Sequence, residues 1–209
     1  MKLTSFHYLV IFYFVGIGIY AQNTSRFKIE NESINHIIFK AKQVSVINIS
    51  THSKNTILFN AASESTYKDE LYFDYEIKNN KLFIKSIYPN RLAFGDNKMT
   101  SMQEFSVSVE MILPENLTLD ITSEIASIEG QGVFKNVIIN TKSGHCKLNP
   151  FKGNAKINTY DGYIKITTNQ ADVKAESQTG FVKIDESLVE NYYLNLRSVK
   201  GNIKVIQTQ

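Results

Sequence analysis

The feature that most constrains this chain is a repeat built around glycine between Val137 and Val205. Gly144, Gly162, Gly180 and Gly201 follow one another at intervals of 18, 18 and 21 residues. Two residues after each glycine stand Cys146, Ile164, Val182 and Ile203, and four after it stand Leu148, Ile166, Ile184 and Val205. The residue between is always lysine: Lys147, Lys165, Lys183 and Lys204. Apolar, lysine, apolar is the period-two pattern of a strand with one buried face. Seven residues before the glycine lie Val137, Ala155, Val173 and Leu194, and five before it Ile139, Ile157, Ala175 and Leu196. A hydroxyl always stands three before it, at Thr141, Thr159, Ser177 and Ser198. Each unit therefore reads strand, glycine corner, strand, connecting turn.

One such unit is too short to bury its apolar face alone, and stacked copies bury it continuously. The expected fold is all-β: a short parallel β-solenoid of about five coils over residues 114–209, each strand pairing with its copy in the next coil. Glycine at the corner suits a bend with positive φ. A β-meander shares the alternation but would reverse like positions in alternate strands. A fifth, degraded copy precedes the four, with Leu117 and Leu119 in its first strand, Ala126 and Ile128 in its second, Glu124 in place of glycine and Ile121 in place of the hydroxyl. The hydroxyl row is expected to form a side-chain hydrogen-bond ladder beside the corner.

The segments TKSGHCKL (141–148), TYDGYIKI (159–166), SQTGFVKI (177–184) and SVKGNIKV (198–205), with the lead-in FSVSVEMILP (105–114), carry a resemblance. Over residues 34–206 the chain resembles the putative-adhesin family of extracytoplasmic β-solenoid proteins of unknown function. The resemblance implies a fold and a location outside the cytoplasm. It brings no catalytic residues with it.

Residues 22–113 read as a β-rich N-terminal cap with alternation but no clean repeat. Strand-like runs cover Ile37–Lys42, Gln43–Ile49 and Thr56–Asn60, and Glu70–Lys78 with Lys81–Ile87 flank Asn79-Asn80 as a hairpin. Tyr88–Gln103 is a long irregular stretch carrying Arg91, Phe94, Met99 and Met102, of a length that is either a linker or a functional loop.

Residues 1–21 differ from the rest. Lys2 precedes an apolar run from Phe6 to Ala21 without Lys, Arg, Asp or Glu, followed by polar Gln22-Asn23-Thr24. This reads as a secretory signal peptide, with an uncleaved anchor as the alternative. No later stretch is apolar enough to span a membrane as a helix. The whole chain of 209 residues has a formal net charge of +3, and losing Lys2 would bring it near +2. That balance does not point to nucleic acid. The single cysteine, Cys146, cannot form an intramolecular disulfide, and its alignment with Ile164, Val182 and Ile203 makes it a core filler.

The candidate binding residues are Lys147, Lys165, Lys183 and Lys204, expected as one outward row. They could dock an anionic polymer, such as an acidic polysaccharide, or an envelope surface. The plainer reading, a solvated lysine face with its stems covering apolar strands, explains them without a ligand. Lys156 and Lys174 are expected to broaden the basic area, and Asp172 and Glu176 to dilute it. Catalysis lacks material: Asp161, Asp185 and Glu186 sit at turns, His36, His52 and His145 are isolated in sequence, and metal or phosphate-binding spacings are absent. No cofactor is expected. The sequence thus points to an exported, non-catalytic cell-envelope or surface module, periplasmic or extracellular. The alternatives are an envelope structural or sensory component meeting a protein partner through Tyr88–Gln103 or an exposed coil edge, and a polysaccharide-active β-helix enzyme.

Overall fold

In a computed structural model, residues 23–30, 33–64, 72–87 and 106–208 are described. Among them the regular structure is all strand. The signal-peptide reading of residues 1–21 and the Tyr88–Gln103 loop lie outside the described residues. No described helix is long and apolar enough to cross a membrane.

The chain forms β1 (Asn23–Glu30), β2 (His36–Ala41), β3 (Val46–His52), β4 (Thr56–Glu64), β5 (Tyr72–Lys78), β6 (Lys81–Ile87), β7 (Ser106–Pro114) and β8 (Thr118–Ser123). Then come β9 (Ser127–Ser143), β10 (Cys146–Asp161), β11 (Ile164–Thr167), β12 (Gln170–Ser177), β13 (Val182–Ile184), β14 (Val189–Lys200) and β15 (Ile203–Ile206). The long strands β9 and β10 each serve two faces. Their first halves pair on one face, as Cys146 with Ile128, and their second halves on the other, as Ala155 with Val137. The first face runs β1-β4-β7-β3-β9-β10-β11-β15-β13. The second runs β5-β6-β2-β8-β9-β10-β14-β12. Apolar residues of both faces meet in one core, where Ile139, Cys146, Ile157, Ile164, Ile166, Leu194, Leu196, Ile203 and Val205 are all fully buried. Each buried isoleucine or leucine contributes about 1.5–3 kcal/mol.

The glycine corners stack on one another. A Cβ on Gly144 would collide with the carbonyl of Ala126, one on Gly162 with that of Gly144, one on Gly201 with that of Gly162, and one on Gly180 with that of Gly201. Gly144 and Gly201 have φ of 99° and 152°, as expected for the corner. Gly162 and Gly180 do not have positive φ, so at those two positions close backbone approach is the reason for glycine.

Three expectations are corrected by the pairing. First, the parallel stack is longer than about five coils, and the N-terminal half is not a separate cap upon it. Strands β2 and β3 pair parallel with β8 and β9 on one side and with β6 and β7 on the other, which makes seven coils among the described residues. The corner between β2 and β3 is one residue longer than the glycine corners, and its left-handed residue is Gln43 at φ 58°, so the glycine register does not reach it. Antiparallel pairing is confined to β1, β4 and β5 at the far end. There the Asn79-Asn80 hairpin closes with φ of 51° and 59°, as the sequence indicates.

Second, the stacking order is not the chain order. Strand β11 pairs with β15, which pairs with β13, and β10 pairs with β14, which pairs with β12. The fourth glycine unit is thus inserted between the second and the third. Taken together its inward side chains, Leu194, Leu196, Ile203 and Val205, are larger than Val173, Ala175, Val182 and Ile184 of the third unit, although Val205 is smaller than Ile184. The larger apolar set takes the position covered on both sides, and Val182 and Ile184 are left 40% and 39% exposed at the open end.

Third, the degraded copy lies two residues later than its sequence register. Leu119, Ile121 and Ser123 pair with Val137, Ile139 and Thr141, and Ile128 and Gly130 with Cys146 and Leu148. Ser123 is its hydroxyl residue. A two-residue slip keeps every side chain on the same face, so alternation alone does not register it.

Candidate functional site

The parallel register determines what lines up across the first face. One outward row reads Arg26, Asn60, Glu110, Asn48, Glu129, Lys147, Lys165, Lys204, Lys183. Neighbours in such a row stand about 4.8 Å apart. All four candidate lysines are in it, with Lys204 between Lys165 and Lys183 because of the inserted coil. Lys147 forms an ion pair: its Nζ lies 3.8 Å from Glu129 Oε2. Among the described residues no ion pair involves Lys165, Lys204 or Lys183. The row ends beside the turn after β13. There hydrogen bonds from Ser187 and from the Gln207 amide, with Lys183 nearby, hold the Asp185 carboxyl below its usual range.

Lys156 and Lys174 do not broaden this area. They flank Asn195 on the second face, because each glycine corner carries the chain from one face to the other. On that face Arg197 lies 4.0 Å from Glu176, and Asn158 Nδ2 donates to Asn140 Oδ1 at 2.9 Å.

A second column runs beside the lysines. The backbone bonds Ile128 N to His145 O, Cys146 N to Tyr163 O, Ile164 N to Asn202 O and Ile203 N to Phe181 O align Ser127, His145, Tyr163, Asn202 and Phe181. His145 and Tyr163 are stacked, with centroids 4.8 Å apart and planes 7° from parallel. Ser127 Oγ lies 3.0 Å from His145 Nδ1, and His145 Nε2 lies 3.5 Å from Glu129 Oε1. Glu129 therefore ties the ring column to the lysine row. Tyr163 and Phe181 are exposed.

Beyond Lys147 the face sinks into an open groove of about 370 Å³, lined among others by Asn48, Ser50, Glu110, Glu129, Gln131 and Asn149. It arises where the short side chains of Asn48 and Ser50 on β3 lie between longer ones on β7 and β9. Sequence reasoning missed these residues. Glu129 is the residue three after the corner of the degraded copy, and the two-residue slip hid its kinship with the lysines.

The hydroxyl residues do line the corner, but they do not bond one another. Ser198 Oγ donates to Gly162 O at 3.1 Å, Ser177 Oγ to Gly201 O at 2.7 Å, Ser123 Oγ to Ala41 O at 3.0 Å and Thr141 Oγ1 to Ser143 O at 2.6 Å. The corners turn carbonyls toward the hydroxyls, and backbone acceptors outcompete side chains. Thr159 Oγ1 is buried without a partner. Among the described residues no group of three or more His, Cys, Asp or Glu could hold a metal ion.

Among solved structures, the chain is similar to a putative cell adhesion protein from Clostridium sporogenes ATCC 15579, at a TM-score of 0.66 and 14% identity over 90% of this chain and 100% of that one. That likeness is one of fold. A putative adhesin from Bacteroides fragilis NCTC 9343 aligns over 89% of this chain and 97% of its own, at 11% identity and a TM-score of 0.29. No curated protein matches the chain significantly. The family model described as Toastrack DUF4097 matches residues 22–209, nearly the whole length. The chain belongs to the Toastrack DUF4097 family, in keeping with the resemblance carried by its glycine repeat.

Proposed function

We infer that this is an exported, non-catalytic binding module of the cell envelope or cell surface, and that it docks an anionic polymer along Lys147, Lys165, Lys204 and Lys183. The observation that carries the reading is the register: it aligns four lysines in one row and leaves three of them outside any ion pair among the described residues. Like charges at this spacing repel in the free protein. A polyanion laid along the row relieves that repulsion and releases counterions.

The groove beside the row gathers Glu110, Glu129 and Lys147, the residue types of a hydrolase. Its geometry supports binding instead. Glu110 and Glu129 are two strand positions apart across Asn48, about 10 Å by strand spacing. The Glu129 side chain is 47% exposed and tied to Lys147 and His145. A general acid needs a carboxyl kept protonated by a dry site, and this groove is open to solvent.

The test compares residues 22–209 with a variant carrying Gln at positions 147, 165, 183 and 204, on acidic glycans and anionic vesicles. The expected result is binding that weakens with added salt and is lost in the variant, with the circular dichroism spectrum unchanged. Absence of binding by the parent protein would overturn the reading and direct attention to the open edge of β13, where Phe181, Val182 and Ile184 are exposed.

A further inference from the structure

We propose that the polymer this face takes is an acidic polysaccharide, with Tyr163 and Phe181 stacking on sugar rings while Lys165, Lys204 and Lys183 pair with the acidic groups of those sugars. The proposal rests on the lysine reading above and names its ligand class. Three observations carry it.

The first is the adjacency of two columns of different chemistry on one face. Tyr163 precedes Lys165 by two residues and Phe181 precedes Lys183 by two, so each exposed ring is paired along its strand with a lysine. A flat aromatic face presents partial negative charge to the C–H groups of a pyranose, and a lysine two residues on reaches a carboxylate on the same sugar. A strip built for charge alone has no use for solvent-exposed rings.

The second is the preparation of the ring column. His145 lies flat on Tyr163 and is itself held by Ser127 and Glu129. Tyr163 thus has one face supported by a fixed ring. Its neighbour across the column on the other side is Asn202, a smaller side chain whose Oδ1 accepts from the Phe181 amide at 3.1 Å. Asn202 thus lies between the two exposed rings.

The third is the groove that continues the lysine row. Its amides, hydroxyl and carboxylates, from Asn48, Ser50, Gln131, Asn149, Glu110 and Glu129, are donors and acceptors matched to sugar hydroxyls. They offer nothing to an acyl chain. A polymer that is anionic over the lysines and rich in hydroxyls over the groove satisfies both parts of the face.

The experiment uses protein expressed from the full chain and purified as the cell processes it. Binding is measured for polygalacturonate and for poly-L-glutamate of matched length and charge, which carries carboxylates without sugar rings. Phosphatidylglycerol vesicles are a third arm. The expected result is that polygalacturonate binds about tenfold or more tightly than poly-L-glutamate. Changing Tyr163→Ala and Phe181→Ala together should remove that advantage while leaving the poly-L-glutamate affinity in place. Changing Tyr163→Phe and Phe181→Tyr, which keeps both rings, should retain it. Both rings are exposed, so melting temperatures should be close to the parent's. Equal affinity for the two polymers, a ring variant that weakens both alike, or tighter binding to vesicles than to polygalacturonate would overturn the polysaccharide assignment and leave the lysine row standing. Failure to bind any of the three would bring down both.

Discussion

The His145 ring lies flat on Tyr163 one coil away, with centroids 4.8 Å apart and planes 7° from parallel, while its Nε2 faces Glu129 at 3.5 Å. Eighteen residues of sequence separate the stacked pair. They meet because parallel stacking brings equivalent positions of successive units together. The same relation makes the lysine row, the glycine column and the core, and each gives a testable consequence.

Glycine substitutions should be graded by what the new Cβ meets. Gly144→Ala combines a φ of 99° with a collision against the Ala126 carbonyl, whereas Gly162→Ala meets the Gly144 carbonyl without positive φ. The expected loss is about 1–3 kcal/mol for Gly162→Ala, and more for Gly144→Ala. Gly130→Ala meets only the end of the Leu148 side chain, at 2.8 Å from Cδ2, and should cost less than about 1 kcal/mol. Urea midpoints of the three variants check the order.

Lys204 stands between Lys165 and Lys183. Lys204→Glu should therefore raise stability by about 0.2–1 kcal/mol while it abolishes polyanion binding. Thermal melts and binding on one preparation test for these opposite signs. A loss of stability would show that the lysines do not repel as the row implies.

Cys146 is fully buried, and burial pushes its thiol from 9.0 up to about 12. The raised value means that the folded state holds the proton more tightly than the unfolded state. This contribution to stability is complete below about pH 9 and is lost as pH rises from there toward 12. A thiol reagent at pH 8 should label the native protein only through unfolding. Cys146→Ser should cost about 1–3 kcal/mol by placing a hydroxyl in the apolar rung between Ile128 and Ile164.

His36 works in the opposite pH direction. Its pKa is lowered from 6.5, by burial first and then by Lys81, against an opposing pull from Asp120. Its Nε2 is buried without a hydrogen-bond partner. Protonation therefore favours the unfolded chain, and stability should fall as pH drops below about 6.5 toward the folded-state value. In His36→Gln the decline of melting temperature between pH 7 and 5 should flatten. An unchanged slope would assign the decline to other groups.

Ending the chain after Ser187 removes β14 and β15. In a solenoid stacked in chain order this would peel off the last coil. Here it removes the coil between β10–β11 and β12–β13. Residues 168–187 should then lose their only parallel partners and become protease-sensitive, as limited proteolysis and hydrogen exchange would show. Retained protection of that segment would mean that it can dock directly on β10 and β11.

Much of the fold is legible in the residues, and the reasons it stops being legible are specific. Cys146, Ile164 and Ile203 read as core by period two, and all are fully buried. The same pattern at Val182 and Ile184 predicts core and finds exposure, because no coil covers β13. The two-residue slip around Ser123 preserves alternation and so leaves no local trace. At β2–β3 the corner is one residue longer and its left-handed residue is Gln43, with no glycine in it, which hides a coil from any search for glycine. Of the candidate site, the four lysines are visible as a repeat. Glu129 is hidden by the two-residue slip, and Glu110 and Asn48 join the row through pairings between distant segments.

Within the four glycine units the sequence by itself determined which side chains point to the core side, where the corners fall and that the lysines share a face, because these follow from period two and from the glycine, both local properties. Only the tertiary structure decided which coil lies beside which. The copies carry nearly the same apolar pattern, so each could pair with any other. The choice rests on summed burial: the unit with Leu194, Leu196, Ile203 and Val205 gains most from being covered on both sides. That choice placed Lys204 in the middle of the row and left Phe181 and Lys183 at its end.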